Sequence, residues 1–254
     1  MRIIGLVALA AAAAGVGVAR ADCAFSAQRA DSIDLAGVTR VVVNAGPGDL
    51  NIVADAKAQR IVAKGKACAS TQSLLDSLLL EVRREGDTVH IDAGKRGGDP
   101  IVVIGNAYAS LDVGIALPPR LPLEVRDSSG DTEIQGAERL SLDDSSGDIR
   151  IRQVGTAEIK DSSGDIIVDG ATGDVTVTFD SSGDISIDDV GGNVEVGSDG
   201  SGEIRIQRVQ GNVLIGADGS GGIFVKDVRG DFTLGNDGSG EVVKVNVAGK
   251  VSEP

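Results

Sequence analysis

The sequence has few of the side chains on which enzymes and sugar-binding sites usually depend. Its 254 residues include no Trp, one Tyr, four Phe and one His, which leaves too few aromatic rings for a platform that stacks sugars. The single His90 lies between the apolar Val89 and Ile91, where strand alternation points it to solvent. No Ser-His-Asp set and no Gly-x-Ser-x-Gly elbow accompany it. The sequence therefore predicts a protein without enzymatic activity.

Cysteine is almost absent as well. Cys23 and Cys68 are the only two, and no CxxC motif or Cys/His cluster supports a zinc or redox site. In an oxidising compartment one disulfide between them is the simplest interpretation, with two free buried thiols as the alternative. Closing a loop of this length would stabilise the fold by on the order of 4 kcal/mol in the chain-entropy model.

Long hydrophobic runs are absent except at the N-terminus. An apolar segment at 3–19 leads into Ala19-Arg20-Ala21, the small-x-small pattern that precedes a signal-peptide cleavage site. A retained membrane anchor needs about 20 strongly apolar residues, whereas this run has 17, largely Ala and Gly. Lipidation of Cys23 is a further alternative, which Asp22 disfavours because a lipobox has a small residue there. We predict a signal peptide over 1–21, and an exported protein of the periplasm, cell envelope or extracellular space without a transmembrane segment after cleavage.

Basic residues are scarce relative to acidic ones. The chain has 24 Lys and Arg against 38 Asp and Glu, and loss of Arg2 and Arg20 with the signal peptide leaves 22 against 38, a net charge of −16. Such a surface repels nucleic acid and anionic lipid. We therefore predict no nucleic-acid partner, and a ligand that is an unknown protein or an envelope or glycan component.

What the sequence does contain is a repeat. The pentapeptide Asp-Ser-Ser-Gly-Asp, abbreviated DSSGD, occurs four times, and its Ser-Gly pair recurs in seven copies spaced by 17 or 19 residues. The four DSSGD copies lie at 127–131, 144–148, 161–165 and 180–184. Apolar residues alternate in each copy, as Ile149 and Ile151 do around Arg150, which indicates two short strands with one buried face.

Equivalent positions of the repeat align in columns. A solenoid stacks each position on its own equivalent, whereas an antiparallel meander does not, and a propeller blade or leucine-rich repeat has another length or pattern. The sequence therefore predicts an all-β fold, a parallel β-solenoid with coils of 17–19 residues over 127–254. The less regular part at 22–126 is predicted to hold the first coils and an N-terminal β cap. Its expected elements are a helix at 70–77, strands at 79–83, 89–91, 101–104 and 111–117, and a hairpin turn at 85–87.

Two sets of positions bear on the surface and ends of the repeat. Alternation assigns Phe179 and Phe232 to the core and leaves Phe224 as the outward aromatic of the repeat. Lys244 falls where an earlier copy has Val225, and a charge there would blunt the exposed edge of the last coil. This disfavours self-assembly through the coil end and favours a monomer.

The DSSGD motif has two interpretations. As a corner, its acids and serines accept hydrogen bonds from the backbone, and Gly supplies a positive φ. Exposed carboxylates in coils about 4.8 Å apart would repel by roughly 0.9 kcal/mol, which a surface tolerates. As a site, two acid columns four residues apart would hold Ca²⁺ between coils. The candidate ligands are Asp127, Asp131, Asp144, Asp148, Asp161, Asp165, Asp180 and Asp184. Because the nonapeptide of calcium-binding β-rolls is missing, the corner interpretation is favoured and no cofactor is predicted, with Ca²⁺ as the alternative.

Several of these features occur together in one known family. A signal peptide, the segment at 46–52 that reads Gly-Pro-Gly-Asp-Leu-Asn-Ile, a Leu-Pro-Pro strand end at 117–119 and repeated Ser-Gly-Asp-Ile-x-Ile strands resemble the bacterial domain-of-unknown-function family named "putative adhesin". The resemblance covers nearly the whole mature chain, implies a single-stranded, right-handed parallel β-helix and brings no catalytic residues. The expected function is a secreted, adhesin-like or envelope-scaffolding module. The alternative is a calcium-dependent glycan-binding or glycan-cleaving β-helix protein.

Overall fold

The computed structural model describes residues 23–95 and 107–254, which contain twenty-two strands and one short helix. The predicted signal peptide at 1–21 and the predicted strand at 101–104 lie outside these ranges. The elements are β1 Phe25–Asp34, β2 Arg40–Pro47, β3 Leu50–Ala54, β4 Arg60–Ala69, α1 Gln72–Ser77, β5 Leu78–Glu85, β6 Thr88–Lys95, β7 Ala109–Leu117, β8 Leu123–Ser129, β9 Thr132–Gln135, β10 Arg139–Asp144, β11 Ile149–Val154, β12 Thr156–Lys160, β13 Ile166–Ala171, β14 Val175–Phe179, β15 Ile185–Val190, β16 Val194–Asp199, β17 Ile204–Val209, β18 Val213–Asp218, β19 Ile223–Val228, β20 Phe232–Asp237, β21 Val242–Val247 and β22 Val251–Ser252.

The strands form two eleven-stranded sheets that wind together as a solenoid. The first sheet has the order β1-β4-β7-β3-β9-β11-β13-β15-β17-β19-β21, and the second has the order β22-β20-β18-β16-β14-β12-β10-β8-β2-β6-β5. From β8 onward the pairing is parallel, and equivalent residues stack directly, as Ile166, Ile185 and Ile204 do. The predicted parallel β-solenoid is therefore confirmed.

The N-terminal part does not stack in chain order. Strand β2 lies between β6 and β8, and β3 lies between β7 and β9, so the coil built from β6 and β7 stacks outside the one built from β2 and β3. Strands β1, β4 and β5 pair antiparallel at this end. Helix α1, N-capped by Thr71, buries Leu75 against the same end of the core. Cys23 and Cys68 are joined by a disulfide, with Cα atoms 5.4 Å apart.

The core is a stack of Val, Ile and Leu side chains from both sheets. In one coil Ile185, Ile187 and Val190 point inward from β15. The alternation breaks before Val190 because Asp189 has a φ of 57°, and this left-handed residue turns the chain so that Val190 also reaches the core. The same corner recurs in neighbouring coils, for example at Arg208 with a φ of 53°. Sequence alternation alone did not indicate it.

The prediction for Phe179 was wrong. Phe232 is fully buried, but Phe179 is 40% exposed. The coils lengthen from 17 to 19 residues here, and one added residue lies in the turn after Ala171 while the other shifts the register opposite Lys160. Because of this bulge, Asp180 instead of Phe179 points into the core.

The C-terminal coil ends in an ion pair. Lys244 stacks on Val225, as its position in the repeat predicts, and its ammonium group pairs with Glu253. No helix among the described residues is long and apolar enough to cross a membrane.

Candidate functional site

The two aspartates of each DSSGD motif point in opposite directions. The first acid of every copy is buried, and so are its equivalents in the next two coils. These residues, named the inner aspartate column, are Asp127, Asp144, Asp161, Asp180, Asp199 and Asp218, each 4% exposed or less. The second acids, named the outer aspartate column, are Asp131, Asp148, Asp165 and Asp184, and they are exposed or half-buried. The expectation that both columns lie on the surface was therefore wrong for the first.

A signal for this burial is present in the sequence. Asp144 follows Leu142 by two residues, and Leu142 points inward, so strand alternation carries the Asp side chain into the core as well. The general preference of carboxylates for solvent hides this pattern.

The inner aspartates organise the corner that follows them. The carboxylate of Asp127 accepts a hydrogen bond from the backbone N–H of Ser128 at 2.7 Å, and Asp161 accepts one from Ser162 at 2.6 Å. The hydroxyl of Thr132 donates to the other oxygen of Asp127 at 3.0 Å. Each Asp thus fixes its turn through local hydrogen bonds, as the corner interpretation predicts.

In the later coils the second carboxyl oxygen has no hydrogen-bond partner among the described residues. This holds for Oδ2 of Asp144, Asp161 and Asp180, and for both oxygens of Asp199 and Asp218. Neighbouring members stack from coil to coil, for example Asp180 on Asp199 and Asp199 on Asp218. Parallel strands place such equivalent positions about 4.8 Å apart.

Burial changes the ionisation of the inner aspartate column. Burial, followed by the carboxyl of Asp127, raises the pKa of Asp144 to about 7. Burial and the neighbouring carboxyls of Asp180 and Asp218 raise the pKa of Asp199 to about 7. The pKa of Asp180 is raised to about 6, mainly by burial and then by Asp161. Burial disfavours the charged form of a carboxyl group, and a nearby like charge adds to that effect.

The outer aspartate column connects one coil to the next. Oδ1 of Asp184 accepts a hydrogen bond from the backbone N–H of Glu203 at 2.8 Å, and Oδ1 of Asp165 accepts one from Asp184 at 3.0 Å. At the opposite corner, Asn193 accepts from the N–H of Asn212 at 2.9 Å in the same way. These carboxylates and amides therefore satisfy backbone donors that the turns leave free.

The structure does not bring the two acids of one motif to a common cation. Asp144 faces the core, while Asp148 lies on the outer side of the same corner. Within 23–95 and 107–254, no group of three or more His, Cys, Asp or Glu side chains is arranged to hold a metal ion. Calcium binding stays a prediction, and the outer aspartate column is where the exposed carboxylates lie.

The glycine of DSSGD is required by the spacing of the coils. Gly164 has a φ of 127°, and a Cβ atom there would lie 1.9 Å from the carbonyl oxygen of Gly147 in the preceding coil. Gly183 has the same close approach to Gly164. Only Gly combines this backbone conformation with such a distance.

Two surface features lie outside the DSSGD corner. An open groove of about 380 Å³ follows the starts of strands β8 to β14, where 17-residue coils meet 19-residue coils, and Arg139, Glu124 and Glu158 are among its lining residues. On the outer face of the first sheet, the guanidinium of Arg205 lies 4.8 Å from the ring centroid of Phe224. Both features combine charges with a shaped or apolar surface, so both are candidate contact sites.

Comparisons with known proteins place the chain in a family. A model of the family described as Toastrack DUF4097 matches residues 64–248. The chain is similar to a solved structure named "putative lipid binding protein" from Parabacteroides distasonis, with 18% identity, 89% of this chain and 96% of that chain covered, and a TM-score of 0.53. It is also similar to a "putative adhesin" from Bacteroides fragilis, with 12% identity, coverage of 90% and 97%, and a TM-score of 0.49. No curated protein matches. Identities this low show the fold alone.

Proposed function

The chain belongs to the Toastrack DUF4097 family, and we propose that it is an exported, non-enzymatic binding module of the cell envelope with an adhesin-like or scaffolding role. One observation carries the proposal. The acidic side chains of the motif recur at the same position in coil after coil instead of converging in a single coil. A repeated surface suits contact with an extended partner, whereas catalysis requires one distinguished set of groups. The proposal requires no cofactor.

A mixed apolar and cationic area on the first sheet is the contact surface we favour. Its side chains form two rows across β17, β19 and β21, and Val245 is 42% exposed. The area, named the C-terminal patch, consists of Arg205, Phe224 and Val243 in one row and Gln207, Lys226 and Val245 in the other. Arginine and aromatic side chains dominate the energetics of protein interfaces. The cation–π contact also holds Arg205 and Phe224 in a fixed arrangement, which lowers the entropy lost on binding.

The experiment is a binding assay with the mature chain. Labelled residues 22–254 are added to intact cells and isolated envelopes of the source organism, and bound protein is measured by flow cytometry and sedimentation. We expect saturable binding that falls by at least about tenfold in Arg205→Ser/Phe224→Ser, because hot-spot residues contribute about 2 kcal/mol or more each. Ile167→Ser, on the same outer row three coils away from the patch centre, is the matched control and should bind normally.

Two results would contradict the proposal. One is binding that is unchanged in the double variant while the protein remains folded. The other is a hydrolase or lyase activity on envelope polysaccharides that a single Asp substitution abolishes.

The groove of the second sheet favours a second candidate, a calcium-dependent glycan-binding or glycan-cleaving protein. It lies where the surface of the coils changes, and it presents the carboxylates of Glu124 and Glu158 beside the guanidinium of Arg139. Carboxylates and guanidinium groups can bind sugar hydroxyls, and a pair of carboxyls is the usual equipment for glycosidic bond cleavage. Reducing-sugar release or glycan binding that requires CaCl₂ and is lost in Glu158→Gln would replace the first proposal by this one.

A further inference from the structure

The inner aspartate column has no cation to neutralise it. Among the described residues, the buried polar side chains are the six members of the column and Thr132. The charged groups that act on the column from neighbouring elements are themselves acids. They are Asp49 beside Asp127, Asp165 beside Asp180, and Asp237 beside Asp218. Ion pairing therefore cannot stabilise these carboxylates, and another positively charged ligand is required.

The first coil shows what the later coils lack. Thr132 donates a hydrogen bond to Oδ2 of Asp127, but its equivalents in the following coils are Ile149, Ile166 and Ile185, which have no donor. In these coils Oδ2 of the inner aspartate is left buried and without a partner. An ionised carboxylate offers only acceptors, so two stacked carboxylates cannot satisfy one another.

A proton resolves this conflict. A protonated carboxyl group has one O–H donor, and the acceptor nearest to it in the stack is the carboxyl oxygen of the next coil. We propose that the inner aspartate column is a proton-binding site, in which carboxyl groups of neighbouring coils share protons that the unfolded chain releases at the same pH. The raised pKa values of Asp144, Asp180 and Asp199 agree with this arrangement. The inference does not depend on the proposed binding function.

Proton binding by the folded state makes stability depend on pH. The pKa of these groups is raised above the ordinary value of 3.8, to about 6 for Asp180 and to about 7 for Asp199. The contribution is therefore fully present below about pH 4 and is lost as the pH rises through 6 to 7. Each proton held only by the folded state lowers the folding equilibrium constant about tenfold per pH unit within that window. With about two such protons, we expect a fall of about a hundredfold between pH 5 and 6.

The test measures that proton uptake directly. Urea denaturation of residues 22–254 from pH 4.5 to 8.5 gives the pH dependence of the folding constant, and infrared spectra of the native protein report protonated carboxyl groups by their carbonyl stretch. Asp199→Asn keeps an oxygen acceptor and supplies an amide donor without an ionisable group. We expect this variant to lose about one tenfold step per pH unit from the slope, and to be more stable than the wild type at pH 8. Asp184→Asn in the outer aspartate column is the matched control and should keep the wild-type slope.

Three results would overturn the proposal. The first is a wild-type folding constant that does not change between pH 5 and 7, and the second is the absence of a protonated-carboxyl band at pH 6. The infrared measurement uses the unaltered protein, so it remains decisive if Asp199→Asn does not fold. The third is a wild-type stability at pH 8 that CaCl₂ raises and EDTA lowers, with the effect lost in Asp199→Asn. That result would assign a metal cation, instead of protons, to the column.

Discussion

Replacement of Gly164 by Ala tests whether the coil spacing sets the sequence of the corner. At a φ of 127° an Ala side chain is strained, which costs about 1–3 kcal/mol. Its Cβ would also lie 1.9 Å from the carbonyl oxygen of Gly147 and 2.6 Å from the carbonyl carbon. Both atoms belong to the backbone, so the coils must separate and weaken the ladder between β11 and β13. We expect a total loss of about 4 kcal/mol, at the upper end for single substitutions.

Gly170→Ala is the matched control within the same coil. Gly170 has a φ of 82°, but the nearest atoms to a Cβ there are the backbone N and Cα of Gln153, at 3.7 and 3.8 Å. Only the strain of a left-handed residue remains, about 1–2 kcal/mol. The assay is urea denaturation followed by circular dichroism at pH 5, with the slope of the unfolding free energy compared between variants. Equal losses in the two variants would refute the explanation, because the backbone approach would then contribute nothing.

Three further outcomes are expected. Thr132→Val removes the donor to Asp127 and should lower stability by about 1–3 kcal/mol at pH 7 but less at pH 4, as compared by urea denaturation; an equal loss at both pH values would contradict the hydrogen-bond explanation. Reduction of the bond between Cys23 and Cys68, which closes a 45-residue separation, should lower stability by about 4 kcal/mol, and a change below 1 kcal/mol would show that the cap is held by packing alone. The mature protein isolated from its source should begin at Asp22 by mass spectrometry, and an intact N-terminus would remove the basis for export.

The regular solenoid could be predicted because its period is written directly in the chain. Columns such as Ile166, Ile185 and Ile204 recur at fixed spacing, and parallel pairing is the geometry that stacks them. The order of the N-terminal coils could not be predicted, because that region has no aligned columns to show that β2 lies between β6 and β8. The orientation of Phe179 depends on a bulge, which shifts every later residue of the strand without a sequence mark of its own.

The candidate site was only half predictable for a related reason. The turn chemistry of DSSGD indicated a hydrogen-bonded corner, and both aspartate columns do bond to the backbone. The directions of the two acids follow from strand geometry, but the cost of burying a carboxylate argued for the surface. That cost applies to the ionised form, so a prediction based on ordinary pKa values assigns the first Asp to the wrong side.

Hydrogen bonding alone does not explain why the inner position is Asp in every buried coil. An Asn would accept the same bond from the following N–H and would add a donor without any ionisable group. At the opposite corner the chain uses both residue types for one role, since Asp174 accepts from the N–H of Asn193 and Asn193 accepts from that of Asn212. These positions are exposed, where a charge costs little. In the core a charge is expensive, yet Asp180, Asp199 and their equivalents are all acids. A group that can gain and lose a proton is what distinguishes Asp from Asn, and this difference favours proton binding as the property that the column supplies.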